Sequence, residues 1–322
     1  MPARSIHLIV NPVAGRGRAV RVLDEARTVF GRLGNISESL STGIGEEELL
    51  AEAAARKGAT AIVVIGGDGS FSHVARGIIR SRTCVPIAFI AAGTGNDFAK
   101  SMGAPVHDVA ATARLVETDS TRLVDVGTVD EHTFINSAGF GFDAEVLVRT
   151  SRTGGGSSTR YAAAALRQLV GYRGFDAELS LSGSTTKATT ADGAFGASAA
   201  ATTSDASRHS DEAFERWLTI VFANGRWFGG MFQIAPDARI DDGLIDCIGI
   251  RDASTLQRAS LFARAVRGAH VHSSAVQTAR QAGYTLRFPV APRFQLDGEL
   301  MQASGSIVRI GVLPGALAVF AR

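Results

Sequence analysis

A chain of 322 residues with 45% hydrophobic and 20% charged residues has an ordinary globular composition and room for two domains, which excludes a disordered chain. A formal net charge of +2 gives no global drive toward nucleic acid. Two distant cysteines, Cys84 and Cys247, make neither a disulfide framework nor a zinc set, and read as small buried apolar groups in a reducing compartment.

In chain order, SIHLIV (5–10) reads as a buried strand, and residues 18–33 carry Val22, Leu23, Ala26, Val29, Phe30 and Leu33 at helical spacing. A short strand falls near residues 36–41. EEELLAEAAARKG (46–58) is a helix with acids in its first turn, bases in its last and a glycine after it. TAIVVI (60–65), a helix from Phe71 to about Arg80, VPIAFI (85–90) and a helix over 107–117 complete an alternation that predicts a parallel sheet wrapped by helices. Beyond residue 123 strands dominate: HTFINSAGF, AELSLSG, WLTIVFANG, LIDCIGI, YTLRFPV, RFQLDGE and IVRIGVL, with helices over 160–172 and 254–268. The segment Lys187–Ser210 is small and polar and reads as a mobile loop. The expected division is an α/β domain over 1–123 and a β-rich domain over 124–308. No apolar run approaches the ~18 residues that span a bilayer, so a cytoplasmic location with at most peripheral membrane contact is expected.

Three glycine-bearing loops end three strands of the first domain: NPVAGRG (11–17), GGDGS (66–70) and GTGND (93–97). Ligands of open parallel sheets sit at the carboxyl ends of the strands, and glycines let backbone N–H groups approach an anion. Each loop alone reads as a tight turn; three on one edge point to phosphate. Ser70 is placed to cap the helix beginning at Phe71, and Thr94 to donate to phosphate. Asp68 and Asp97 would repel bare phosphate, so a cation is inferred between them, most simply Mg²⁺ carried on a nucleotide. The loops match neither a Walker A sequence nor GxGxxG.

NPVAG, GGDGS and GTGNDFAK, followed by NGRWFGGMFQIAPDARIDDGLID (224–246) and FQLDGE (294–299), resemble the diacylglycerol kinase and sphingosine kinase superfamily, in particular its bacterial soluble lipid kinases. The resemblance runs from Ser5 to Arg322. It implies a phosphofructokinase-like α/β domain, a β-sandwich second domain, a nucleotide cleft between them, and residues 309–322 returning to the first domain. It implies a kinase that uses ATP and Mg²⁺ to phosphorylate a lipid hydroxyl, diacylglycerol-like or related, with bacterial relatives suggesting a homodimer. Nucleotide contacts would fall on Asn11, Pro12, Gly15, Ser41 or Thr42, Gly66, Gly67, Asp68, Gly69, Ser70, Gly93, Thr94, Asn96 and Asp97. Asp68, Asp97 and Asp125 would surround the catalytic Mg²⁺. A second metal would take the Asp242 side chain and the carbonyl oxygens of Arg239 and Leu244. The general base would be Asp297 or Glu299, the other helping to orient the acceptor.

Plainer readings stand beside these. Asp297-Gly298 and Asp242-Gly243 are turn pairs, Asp125 can cap a strand end, and His73 packs or faces outward with no catalytic role. Trp227, Phe228, Met231 and Phe232 read as core, or in part as the lining of an acyl channel. Six arginines against one acid, Asp252, between Arg251 and Arg287 suggest a basic face for anionic lipid, with Arg264 and Arg267 on one side of a helix. The rival functions are an NAD kinase-like enzyme and a non-catalytic, nucleotide-gated lipid-binding protein.

Overall fold

A computed structural model describes residues 4–151, 171–181 and 214–321. The expected helix over 160–172, apart from its last two residues, and the Lys187–Ser210 loop lie outside the described residues.

Strands β1 (Arg4–Val10), β2 (Gly34–Leu40), β3 (Ala61–Gly66) and β4 (Ile87–Ala91) form a parallel sheet in the order β2-β1-β3-β4. β3 and β4 are continuous apolar runs because both sheet faces are covered. Helices α1 (Arg18–Gly31) and α5 (Val109–Glu117) cover one face through Leu23, Ala26, Phe30, Val109 and Val116. Helices α2 (Glu46–Arg56), α3 (Asp68–Ser81) and α4 (Asp97–Met102) cover the other through Ala51, Ala54, Phe71, Val74, Ile78 and Phe98.

The remainder is β-rich. One layer runs from β14 (Glu299–Gln302) through β13 (Arg293–Leu296), β7 (Ser137–Gly141), β9 (Glu215–Ala223) and β10 (Ile245–Arg251) to β11 (Val276–Gln281). The facing layer holds β8 (Phe175–Leu181), β12 (Gly283–Arg287), β15 (Ile307–Phe320), β5 (Thr121–Val129) and β6 (His132–Phe134), and β8 pairs into both layers. Phe140, Phe222, Phe294, Trp217, Tyr284 and Ile310 fill the space between. Helices α6 (Phe142–Ser151) and α7 (Thr255–Ala265) and a 3-10 turn (Ala269–His272) complete the described elements, with Leu261 of α7 packed on the outer face of the first layer.

β5 and β15 belong to both halves. Ile310–Leu313 pair with Val126–Val129, the register shifts around Gly315, and Leu317–Phe320 then pair with Thr121–Val124. Val319 stands beside Ile87 of β4, so the end of the chain extends the parallel sheet. The boundary expected at 123/124 falls inside β5.

Several expectations are corrected. α3 starts at Asp68, not Phe71, so Asp68, Gly69 and Ser70 form its first turn and Ser70 does not cap it; Gly67 is the N-cap. RFQLDGE is two strands around a turn at Asp297-Gly298, where Asp297 is left-handed at φ 48°. α4, α6 and β11 escape pattern reading: α4 spans six residues, too few to display a period. Cys84 is exposed; only Cys247 is buried, where burial pushes its thiol pKa well up.

Candidate active site

The three glycine loops meet at the carboxyl ends of β1, β3 and β4. A Cβ on Gly15, where φ is 59°, would lie 1.9 Å from the Ala92 carbonyl oxygen, and a Cβ on Gly93 would lie 2.7 Å from the Gly67 Cα. Backbone packs on backbone here, so part of the demand for glycine is steric. α1 begins after Gly17, a left-handed residue with no side-chain cap, and its first residues, Arg18 and Ala19, donate their N–H groups at 3.4 Å to the carbonyl oxygens of Gly15 and Ala14. This turn borders a groove of ≈ 340 Å³ lined by Gly15, Arg16, Arg18, Gly93, Thr94 and His107. Arg18 Nη1 donates to the Ala92 carbonyl oxygen at 3.4 Å and lies 3.3 Å from His107 Nε2. Cationic side chains and an uncapped helix N-terminus make this groove suited to an anion.

The side chains of Asn11, Ser41 and Ser70, expected on nucleotide, turn inward. Asn11 Nδ2 at 3.0 Å, Ser41 Oγ at 3.1 Å and Ser70 Oγ at 3.1 Å all donate to Glu47 Oε1. Burial pushes Glu47 up, but these bonds and His73 outweigh it and bring its pKa to about 2. Glu47 is thus a buried anion that fastens the loops. Sequence reading missed it because three consecutive glutamates in a first helical turn read simply as dipole-complementing acids. Thr42 bonds instead to Glu46 Oε2, through Oγ1 at 2.8 Å. Asn96 is left-handed and donates to the Gly93 carbonyl oxygen at 3.1 Å, shaping its own loop. Pro12 is half-buried, Gly69 faces open space, Gly66 packs on Ser70, and Thr94 is exposed at the groove.

Asp68, Asp97 and Asp297 wall one cavity of ≈ 360 Å³, together with Ser72, Asn136 and Phe228. Thr94 lines both this cavity and the groove, so the two spaces adjoin. Burial, and then the neighbouring Asp97, push Asp68 up to about 6. Asp68 has no ion-pair partner among the described residues, whereas Asp97 pairs with Lys100 at 3.2 Å and accepts the Gly230 N–H at 2.9 Å.

Asp297 Oδ1 accepts the N–H groups of Asn136 (2.8 Å) and Ser137 (3.0 Å), and Oδ2 accepts the Ile135 N–H (2.8 Å) and the Ser72 hydroxyl (2.9 Å). Its carboxylate is enclosed, and burial raises its pKa despite these four donors. Glu299 does not line the cavity: it turns to α3, where Oε1 meets His73 Nε2 and Oε2 accepts from Arg76 Nη2 at 3.0 Å. Burial pushes Glu299 up, but His73 and Arg76 outweigh it and hold it below the ordinary carboxylate range. The two carboxylates diverge because Asp297 occupies the turn and Glu299 opens β14. Of the two readings of His73 the structure has the packed one: it is 6% exposed and stands between Glu299 and Glu47.

Asp125 does not join Asp68 and Asp97. Its Oδ2 accepts the Gly243 N–H at 2.7 Å and its Oδ1 the Gly315 N–H at 2.8 Å, which ties the 239–244 loop to the β15 bulge. Asp242 closes its own turn by accepting the Leu244 N–H at 3.1 Å, and Arg239 lies 3.7 Å from Asp241. Among the described residues no group of three or more His, Cys, Asp or Glu side chains is gathered to hold a metal. The three-carboxylate set is therefore not assembled, and of the two carboxylates in the 239–244 loop Asp241 is paired with Arg122 at 2.6 Å, which leaves Asp242 and backbone oxygens to a metal.

The basic stretch is largely neutralised. Arg251 pairs with Glu215, Arg258 with Asp252, Arg280 with Asp246 and Arg287 with Glu178, and Arg258 is buried. Arg264 and Arg267 are exposed on and just beyond α7. Phe232 is core, packed on Phe262 at 4.6 Å, while Phe228 faces the cavity and Trp227 lies under Lys100. Met231 is exposed.

Comparison with known proteins gives two family matches: "Diacylglycerol kinase catalytic domain" over residues 5–129 and "YegS C-terminal NAD kinase beta sandwich-like domain" over residues 136–321. A Mycobacterium tuberculosis protein named diacylglycerol kinase is 29% identical over 319 residues, covering 97% of this chain and 93% of that protein. A Pseudomonas aeruginosa protein named "Probable lipid kinase YegS-like" is 31% identical over 278 residues, covering 85% and 81%. The crystal structure of a diacylglycerol kinase from Bacillus anthracis superposes with a TM-score of 0.69 at 16% identity, covering 100% of this chain and 98% of that one, a likeness of fold.

Proposed function

The chain belongs to the lipid-kinase family that joins a diacylglycerol kinase catalytic domain to a YegS-type β-sandwich, and on that premise we propose that it transfers the γ-phosphate of ATP to the hydroxyl of a diacylglycerol-like lipid. The observation that carries this reading is the cavity walled by Asp68, Asp97 and Asp297, which adjoins the cationic groove at Thr94. Phosphoryl transfer needs an in-line acceptor, charge neutralisation and removal of one proton, and the two spaces divide these tasks.

The groove of Arg16, Arg18 and the α1 N-terminus suits the nucleotide phosphates. Asp68, a half-buried carboxylate beside Asp97 without a cation of its own among the described residues, fits a divalent ion such as Mg²⁺, which when bound would neutralise developing phosphate charge. Asp297 acts as the base. Three of its four donors are backbone N–H groups; the fourth, the Ser72 hydroxyl, can rotate. A substrate hydroxyl that replaces Ser72 at Oδ2 is oriented by the same carboxylate that takes its proton, and burial makes Asp297 a stronger base than a surface carboxylate. Glu299, neutralised by two cations and turned from the cavity, anchors the hairpin instead. Phe98, Leu147 and Phe228 add apolar wall beside the acceptor position.

Among the described residues no helix is long and apolar enough to cross a membrane. Access to lipid is assigned to α7, which exposes Leu256 (85% exposed) in its first turn and Arg264 near its end, with Val266 and Arg267 exposed just beyond it.

The test is incubation with γ-labelled ATP, Mg²⁺ and total bacterial lipid extract, in parallel with NAD. Label in an extractable lipid is the expected result. Label on NAD alone would assign the rival kinase, and no transfer to either would leave a binding protein.

A further inference from the structure

We propose that His73 is a positioning residue: as an imidazolium between Glu47 and Glu299 it ties the acceptor-side hairpin of the second domain to the nucleotide-side loops of the first. The inference rests on the lipid-kinase reading for its kinetic consequences, but not for its structural claim.

α3 meets the β13–β14 hairpin through Ser72 on Asp297, and through His73 and Arg76 on Glu299. His73 also reaches back, with Nδ1 3.4 Å from Glu47 Oε2. Glu47 in turn holds Asn11 and Ser41, which follow β1 and β2, and Ser70 in the first turn of α3. A continuous path of polar contacts therefore runs from the strand ends of the first domain to Glu299, two residues beyond the proposed base. The histidine joins Glu47 to Glu299 directly, while Arg76 runs beside it from Glu299 to Glu48.

Its protonation decides whether the path is complete. A neutral imidazole has one N–H and can donate to one carboxylate; the cation has two and serves both. The groups facing the ring are Glu47 from α2, Glu299 from β14 and Arg76 from its own helix. Glu48 of α2 lies 3.5 Å from Arg76, and Asp297 reaches α3 through Ser72. Burial pulls the ring pKa down, but the two carboxylates outweigh both burial and Arg76 and raise it to about 9. Because the folded value is raised, the link is whole at neutral pH and is lost as pH rises through about 9. Glu47 would keep Asn11, Ser41 and Ser70, and Glu299 would keep Arg76, so loss of the link loosens Glu299 on the acceptor side and spares the nucleotide side.

Two measurements test this on the full chain. Histidine ring NMR follows the proton directly. One ring should titrate near pH 9, disappear in His73→Gln, and move toward neutral in Glu299→Gln. A His73 ring that titrates at or below the ordinary 6.5 overturns the proposal whatever the enzyme's substrate. The kinetic arm uses the acceptor labelled by wild type. His73→Gln should lower kcat by about tenfold with the KM for ATP little changed, and should abolish the alkaline limb of the kcat profile. His73→Lys should restore part of kcat and move that limb above pH ~10. An alkaline limb that persists unchanged in His73→Gln overturns the proposal, as does a defect confined to ATP affinity. If wild type transfers no phosphate at all, the kinase reading fails, while the NMR arm still decides the link.

Discussion

At the residue scale the division between Asp297 and Glu299 shows how environment separates two like groups. Both belong to DGE, yet Asp297 is enclosed with its pKa raised, and Glu299 is compensated by two cations with its pKa lowered. Asp297→Asn should therefore reduce turnover by at least about 10²-fold, whereas Ser72→Ala should cost less than ~10-fold, because the substrate hydroxyl replaces that donor. Steady-state kinetics at saturating ATP would show the contrast; equal losses would move the proton transfer elsewhere. Glu47 supports a stability test with a definite sign. Its folded pKa of about 2 lies below the ordinary 4.5, so its contribution is present above pH 4.5 and is lost as pH falls toward 2. Glu47→Gln should lower the melting temperature at pH 7, and the gap from wild type should close below pH 4.5, as thermal unfolding across pH would reveal. Asp68 was readable as chemistry because it sits in a glycine-rich string, whereas Asp297 entered only through the family resemblance of FQLDGE, as one of two candidates with Glu299. Glu47 and His73 were not readable, because nothing local distinguishes a buried carboxylate or imidazole from a surface one.

At the scale of elements, α3 organises the site. Its first turn supplies Asp68 and Ser70, its second Ser72 and His73, and Arg76 follows one turn later. Its inner face packs closely on α2: a Cβ on Gly77 would lie 2.2 Å from the Glu48 carbonyl oxygen and 2.9 Å from the Ala51 Cβ. Gly77→Ala must push the helices apart, costing about 1–3 kcal/mol as overpacking usually does, despite alanine's better helix propensity. Denaturant unfolding should show a lower midpoint, and because the shift separates Glu47 from His73, turnover should fall with it. An unchanged midpoint would show that the helix pair adjusts freely. The alternation of elements in the first half was legible because periodicity and buried apolar runs are local signals. The start of α3 was not, since a GGDGS string fits a loop and a helical first turn equally well.

At the scale of the whole molecule, β5 and β15 bind the halves into one structure. Leu317, Val319 and Phe320 are buried, and β15 joins β4 only at its end. A chain ending at Gly315 would expose the edge of β4 and should lose the cooperative unfolding transition, where wild type should unfold in one step seen alike by circular dichroism and fluorescence. The same scale governs membrane approach. With four of the six arginines paired to carboxylates, the charge available to lipid narrows to Arg264 and Arg267. At about 1 kcal/mol per basic residue near an anionic surface, Arg264→Glu with Arg267→Glu should weaken vesicle co-sedimentation by more than ~10-fold. Wild-type binding should weaken with salt as the Debye length shrinks below roughly 10 Å. Co-sedimentation indifferent to both would remove α7 from lipid access.

The sequence by itself determined the α/β half, the β-rich half and the glycine loops, because hydrophobic period, turn chemistry and short motifs are written in neighbouring residues. It also pointed to Asp68 and Asp97 through the glycine loops, and through the family resemblance to Asp297 or Glu299. Only the tertiary structure decided which groups share a cavity. It set Asp125 on the β15 bulge, turned Asn11, Ser41 and Ser70 onto Glu47, and placed His73 between carboxylates 26 residues before it and 226 after it. Such pairings are made by strands and helices that meet in space, and the burial that shifts their proton affinities exists only once the chain has closed around them.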